Sequence, residues 1–114
     1  MSLGAYYEAA ACQYLVRRGL ALVARNFRGP RGEIDLIMRD GGTLVFVEVK
    51  FRSSTRYGSP LEAVSPMKQR RIKNTALFYL SQTKCCYSVV RFDVLGITKT
   101  GQTLKYLWVK GAFE

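Results

Sequence analysis

The residues from Gly32 to Arg52, G-E-I-D-L-I-M-R-D-G-G-T-L-V-F-V-E-V-K-F-R, restrict the fold more than any other stretch of the chain. Apolar residues alternate or run together on both sides of Gly41-Gly42, the pattern of a β-hairpin closed by a tight glycine turn. With the two glycines as the loop, Asp40 faces Thr43. Asp35 then falls directly opposite Glu48, and Glu33 opposite Lys50. Period-two alternation places these four charged residues on one face, with Ile37, Leu44 and Phe46. Ile34, Leu36, Met38, Val45, Val47 and Val49 take the other face. Both faces are largely apolar, as in a strand pair covered on both sides. Facing carboxylates repel, so a hairpin that keeps them predicts a cation between them. The plainer alternative is a solvated face with an ordinary Glu33–Lys50 ion pair. The apolar company argues against it, because charges in doubly covered strands need partners.

These residues meet a family pattern. Asp35, twelve intervening residues, then Glu48-Val49-Lys50 resembles the acid-and-lysine signature of the restriction-endonuclease-like PD-(D/E)XK nucleases. A wider string resembles the small bacterial YraN family. It comprises Gly32-Glu33-Ile34-Asp35-Leu36-Ile37 with Phe46-Val47-Glu48-Val49-Lys50 and Arg52. Members of that family are predicted endonucleases, related in fold to archaeal Holliday-junction resolvases. The resemblance runs over nearly the whole chain. It implies Asp35, Glu48 and Lys50 as catalytic residues, with Asp35 and Glu48 holding Mg²⁺ or Mn²⁺. Hard oxygen ligands suit those ions. Related nucleases often supply a further glutamate from their first helix, and Glu8 matches that placement as a third metal ligand. Glu33 is an accessory candidate, holding Lys50 or a second ion.

Composition narrows the chemistry. A length of 114 residues suits one domain, residues 1–114, and 48% hydrophobic residues allow a core without staples. With 18 basic and 8 acidic residues the net charge is +10, which points to a polyanion, nucleic acid ahead of an acidic membrane surface. There is no histidine, so a Ser-His-Asp or Cys-His site and a histidine base are excluded. Acid–base work falls to carboxylates, lysine or metal-bound water. Cys12, Cys85 and Cys86 form neither a disulfide framework nor a zinc pattern. No apolar run has the length of a membrane span and no signal peptide is evident, so a reducing cytoplasm fits best.

In chain order, residues 4 to 18 read as a helix with Ala5, Ala9, Cys12, Leu15 and Val16 on its apolar stripe and Gly19 ending it. Glu8 lies on or beside that stripe, either as an edge residue paired with an arginine or as a ligand facing the hairpin. Leu20 to Arg28 reads as a strand, and Gly29-Pro30-Arg31-Gly32 as a turn. Ser53 to Ser65 reads as a loop in which Tyr57-Gly58 offers a ring for base stacking. Ser65 caps a second helix that starts at Pro66 and runs to about Gln82, with Ile72, Ala76, Tyr79 and Leu80 inward. Lys68, Arg70, Arg71 and Lys73 crowd its first two turns, against the macrodipole. That favours a phosphate-tracking surface, continued by Arg52 and Arg56. Lys68, four before Ile72, lies on the inward edge within reach of the hairpin site. Tyr87 to Thr98 and Leu104 to Val109 read as the last strands, with Val90, Phe92 and Val94 inward and Asp93 on the polar face in a structural role.

The order α-β-β-β-α-β-β predicts an α/β fold with a mixed central sheet flanked by helices, the order of a restriction-endonuclease-like core. The leading expectation is a metal-dependent endonuclease acting on DNA, including branched intermediates, for which a homodimer would suit a junction. The rival is a nucleic-acid-binding module of the same fold without catalysis. A protein-binding scaffold is a third reading.

Overall fold

The computed structural model describes residues 2–52, 64–84 and 89–114. Helix α1 (Leu3–Arg17) is followed by strands β1 (Ala21–Gly29), β2 (Gly32–Asp40) and β3 (Thr43–Arg52). Helix α2 (Pro66–Thr83) and strands β4 (Val89–Thr100) and β5 (Thr103–Phe113) complete the order, which is the one expected. The strands form a single five-stranded sheet in sequence order. All neighbours are antiparallel except β3 and β4. Parallel neighbours cannot be joined by a hairpin, and α2 lies in their crossover. No helix among the described residues is long and apolar enough to cross a membrane.

The sheet is covered on both faces, which explains why β2 and β3 carry apolar residues on both faces. On one side Leu36, Met38, Val45, Val47, Leu95 and Ile97 pack with Tyr7, Ala11, Cys12 and Leu15 of α1. On the other, Ile34, Ile37, Leu44, Phe46 and Val94 pack with Ile72, Ala76 and Tyr79 of α2. Burying side chains of this size contributes roughly 1.5–3 kcal/mol each.

Both helices start where side chains can satisfy their first amides. Ser2 Oγ accepts from the Ala5 N–H at 3.1 Å, and Ser65 Oγ from the Lys68 N–H at 3.2 Å. The buried side of α1 is Tyr7, Ala11, Cys12 and Leu15, which keeps Cys12 and Leu15 of the stripe expected. Ala5 and Val16 are exposed, and Ala9 is half-buried. The Tyr7 ring stacks on Phe51 at 3.7 Å between centroids. An aromatic ring buries far more area than an alanine, so it sets the rotation of the helix.

The two hairpin turns differ in cause. Gly41 sits at φ 60°, the left-handed conformation that the β2–β3 turn requires. Gly32 is needed for room: a Cβ there would lie 3.0 Å from Thr75 Oγ1. The Pro30-Arg31 turn is thereby pressed against α2.

Two expectations about the hairpin are corrected. The register holds from Asp40↔Thr43 to Leu36↔Val47, and there the pairing of β2 with β3 ends. Asp35 is not paired with Glu48, nor Glu33 with Lys50. The second correction concerns faces. Ile34 shares the α2 core with Ile37, while Leu36 belongs to the α1 core. Alternation therefore breaks at Asp35. Facing it on β1 is Asn26, at φ 49°, and there too Ala24 and Phe27 both turn to the α2 side. The two strands change face together.

Candidate active site

The site forms where β2 and β3 part. Beyond Leu36 the backbone of β2 no longer offers a carbonyl to β3, and the Asp35 side chain takes over. Its Oδ2 accepts from the Val49 N–H at 2.8 Å. This bond fixes the Asp35 carboxylate beside that of Glu48, the residue preceding Val49. Both line a cleft of about 340 Å³ on the α2 side, with Arg31, Gly32, Glu33, Lys68, Arg71 and Ile72. Both also line a second cleft of about 280 Å³ on the α1 side, with Tyr7, Glu8, Lys50 and Lys68 among its walls.

Burial, and then the charge of Glu48, push Asp35 up from 3.8 to about 7. The Val49 N–H pulls it back, and a hydrogen bond with Glu48 pushes it up again. Two adjacent half-dry carboxylates share a proton or require a cation. Glu48 is 7% exposed and has two ammonium partners: Lys68 Nζ at 3.0 Å and Lys50 Nζ at 3.8 Å. Burial and a hydrogen bond with Lys68 lower Lys50, against the pull of Glu48. Lys68 moves the other way. Burial alone would lower it, but its bond with Lys50 and the charge of Glu48 prevail and raise it. Of the two lysines, Lys68 lies the closer to Glu48.

Glu8, the expected third metal ligand, lines the α1-side cleft with Asp35 and Glu48. Among the described residues no three His, Cys, Asp or Glu side chains converge as a metal-holding group. The Glu8 carboxylate is held by Asn26. With its amide oriented as its neighbours require, Asn26 donates to Glu8 Oε1 at 2.8 Å and to Glu33 Oε1 at 3.2 Å. Burial, then Glu33, raise the Glu8 pKa, and the Asn26 bond opposes them. Glu33 also meets Arg28 at 3.6 Å, so it neither pairs across to Lys50 nor stands alone. Sequence reasoning missed Asn26. A non-glycine residue at positive φ gives no sign in a strand pattern, although asparagine is the residue that best tolerates it.

The two carboxylates themselves fit a small divalent ion. Mg²⁺ is commonly held by one or two carboxylates with water completing its octahedron. The donor pair of Asp35 and Glu48, adjacent and partly dry, meets that demand.

The basic residues divide. Lys68 and Arg71 line the carboxylate cleft. Arg70 is exposed, and Arg52 ends β3 half-buried. Lys73 turns away, its Nζ 5.9 Å from the centre of the Phe113 ring. Arg56 and the Tyr57-Gly58 pair lie outside the described residues, as do Cys85 and Cys86, while Cys12 is a free buried thiol.

Comparison with known proteins places these features in a lineage. A protein of Chromohalobacter salexigens described as a UPF0102 protein is 46% identical over 111 residues, 97% of this chain and 89% of its own length. A UPF0102 protein of Geobacter metallireducens is 45% identical over 113 residues, 99% of this chain and 93% of its own. One from Coxiella burnetii is 42% identical, covering 98% of this chain and 92% of its own. The model of the uncharacterised protein family UPF0102 matches residues 7–97, a span that holds Glu8, Asp35, Glu48, Lys50 and Lys68. On that match and those relatives, the chain belongs to the UPF0102 family.

Proposed function

We propose that this chain is a metal-dependent nuclease acting on DNA. One observation carries the reading: Asp35 is held by the Val49 N–H beside Glu48, with Lys50 on the same carboxylate. The resemblance to the PD-(D/E)XK nucleases and the charge of +10 support it. Asp35 and Glu48 would hold Mg²⁺ or Mn²⁺. Such an ion supplies Lewis-acid polarisation of the phosphoryl oxygen and lowers the pKa of water.

The remaining work falls to side chains. Lys50, beside Glu48, is placed to orient the attacking water. Its ammonium faces the negative charge that grows on the phosphorane. Arg71, on the cleft wall, meets the flanking phosphate. The Asn26 bridge keeps Glu8 and Glu33 from swinging into the phosphate path.

The test is a cleavage panel of branched and linear DNAs with Mg²⁺ and with Mn²⁺. Asp35→Asn and Glu48→Gln should cut at least about 100-fold more slowly while still binding DNA, since they remove ligands and negative charge together. Lys50→Ala should retain Mn²⁺ in calorimetry yet lose cleavage. If Asp35→Asn and Glu48→Gln cleave as fast as the parent, or the parent cleaves none of the panel, the non-catalytic DNA-binding module replaces the nuclease.

A further inference from the structure

We propose that Lys68 is the built-in counter-cation of the carboxylate pair, seated on Glu48 in the absence of metal and displaced from it when a divalent ion enters. The inference rests on the metal-nuclease reading above and concerns how that site is loaded. Lys50 is the lysine of the Glu-Val-Lys motif, yet Lys68 makes the tighter contact. Its Nζ lies 3.0 Å from Glu48 Oε1, against 3.8 Å for Lys50.

Glu48 needs this partner. Its side chain is only 7% exposed, and the Asp35 carboxylate adjoins it. A carboxylate so placed is stable only when paired or protonated. Lys68 is delivered to it by the start of α2. Ser65 caps the helix through the Lys68 N–H itself, which fixes the backbone from which the side chain reaches. An ammonium at 3.0 Å and a divalent ion bound to the same carboxylate oxygen compete for one place. The lysine is also free to leave. Its side chain is 41% exposed, and it lines the clefts on both sides of the carboxylates. Lifted off Glu48, the Nζ stays on the cleft wall it shares with Arg71, where a phosphate would run.

This differs from a general basic surface. A lysine that only meets phosphate leaves metal affinity unchanged when removed. A lysine that competes with metal raises that affinity when removed, even with no DNA present.

The experiment is calorimetric titration of Mn²⁺ into the metal-free parent, Lys68→Met, Lys68→Arg and the double variant Glu48→Gln/Lys68→Met. Thermal midpoints are measured with EDTA and with Mn²⁺. Lys68→Met should bind Mn²⁺ about tenfold more tightly, as expected for removal of a half-buried competing charge. Its midpoint should rise further on adding Mn²⁺ than the parent's does. Lys68→Arg, which keeps the charge, should stay near the parent. The double variant should lose the gain, because the contested oxygen is gone. Should Lys68→Met not fold, Lys68→Gln is read in the same way. Unchanged or weaker Mn²⁺ binding without Lys68, in a parent that does bind Mn²⁺, overturns this inference and leaves the nuclease reading standing. Tighter binding in Lys68→Met with no cleavage by the parent upholds the inference and removes the nuclease reading. Absence of Mn²⁺ binding in every variant overturns both.

Discussion

Asp35 shows what a side chain gives up to serve a site. It fills a gap in the sheet by accepting the Val49 N–H, yet burial and Glu48 push its pKa to about 7. An acid whose folded pKa is raised favours the protonated form in the native state. Its contribution to stability is therefore fullest below the ordinary carboxylate range and is lost as pH climbs through about 7. Asn at this position keeps an acceptor for Val49 and carries no charge. In EDTA at pH 8, Asp35→Asn should stabilise the protein by roughly 1–3 kcal/mol, an amount that allows for screening and for the shared proton. At pH 5 the difference should be clearly smaller. Urea unfolding at the two pH values measures it. A variant less stable than the parent at pH 8 would show that the carboxylate charge is already compensated without metal.

Among elements, the join of β4 to β5 is the other place where a charge is spent inside the protein. Asp93 is fully buried, not on a polar face as its position in the strand suggests. It accepts from Arg91 Nε at 2.9 Å and Nη2 at 3.0 Å, from Trp108 Nε1 at 2.9 Å and from the Gly111 N–H at 3.0 Å. The register of the two strands shifts beside it, between Phe92 and Val94, with Gly111 at φ 58°. The carboxylate thus satisfies the amide that the bulge releases. Arg91 in turn reaches Asp40 at 3.1 Å, next to the β2–β3 turn. Asp93→Ala leaves an indole N–H and an amide without their acceptor and takes one of two carboxylates from Arg91, and should cost about 3–5 kcal/mol. A fall of less than about 1 kcal/mol in chemical denaturation would mean that water replaces the carboxylate readily.

At the scale of the whole molecule, the charge of +10 favours a polyanionic partner, and the fold decides which cations stand near the carboxylates. Arg71 stands on the cleft wall and Arg70 beside it on the exposed side of α2. Lys73 points at Phe113 instead. Anisotropy of labelled DNA across a salt series should resolve this division. Replacing Arg70 and Arg71 with alanine should lower the slope of log affinity against log salt by about 2. Lys73→Ala should leave the slope near the parental value. Equal effects of all three would point to a diffuse positive face rather than a track leading to the carboxylates.

Local pattern alone determined the order of the elements, the glycine turn and the register from Asp40↔Thr43 to Leu36↔Val47. It did so because period-two and helical repeats report which residues share a surface over a few neighbours. The nearness of Asp35 to Glu48 was legible on the same ground, although the strand pairing meant to produce it stops one residue short. What lay beyond local pattern was decided by contacts across the fold. The face change at Asp35 accompanies a left-handed Asn26 on another strand. Glu8 takes a hydrogen bond from that asparagine. Asp93 is dry because a bulge in β5 needs an acceptor. Lys68 reads from its helix as a cation on the inward edge within reach of the hairpin, and the docking of α2 against the parted strands decides that it meets Glu48. Charged side chains settle where desolvation and partner geometry balance, and those partners lie far away in the chain.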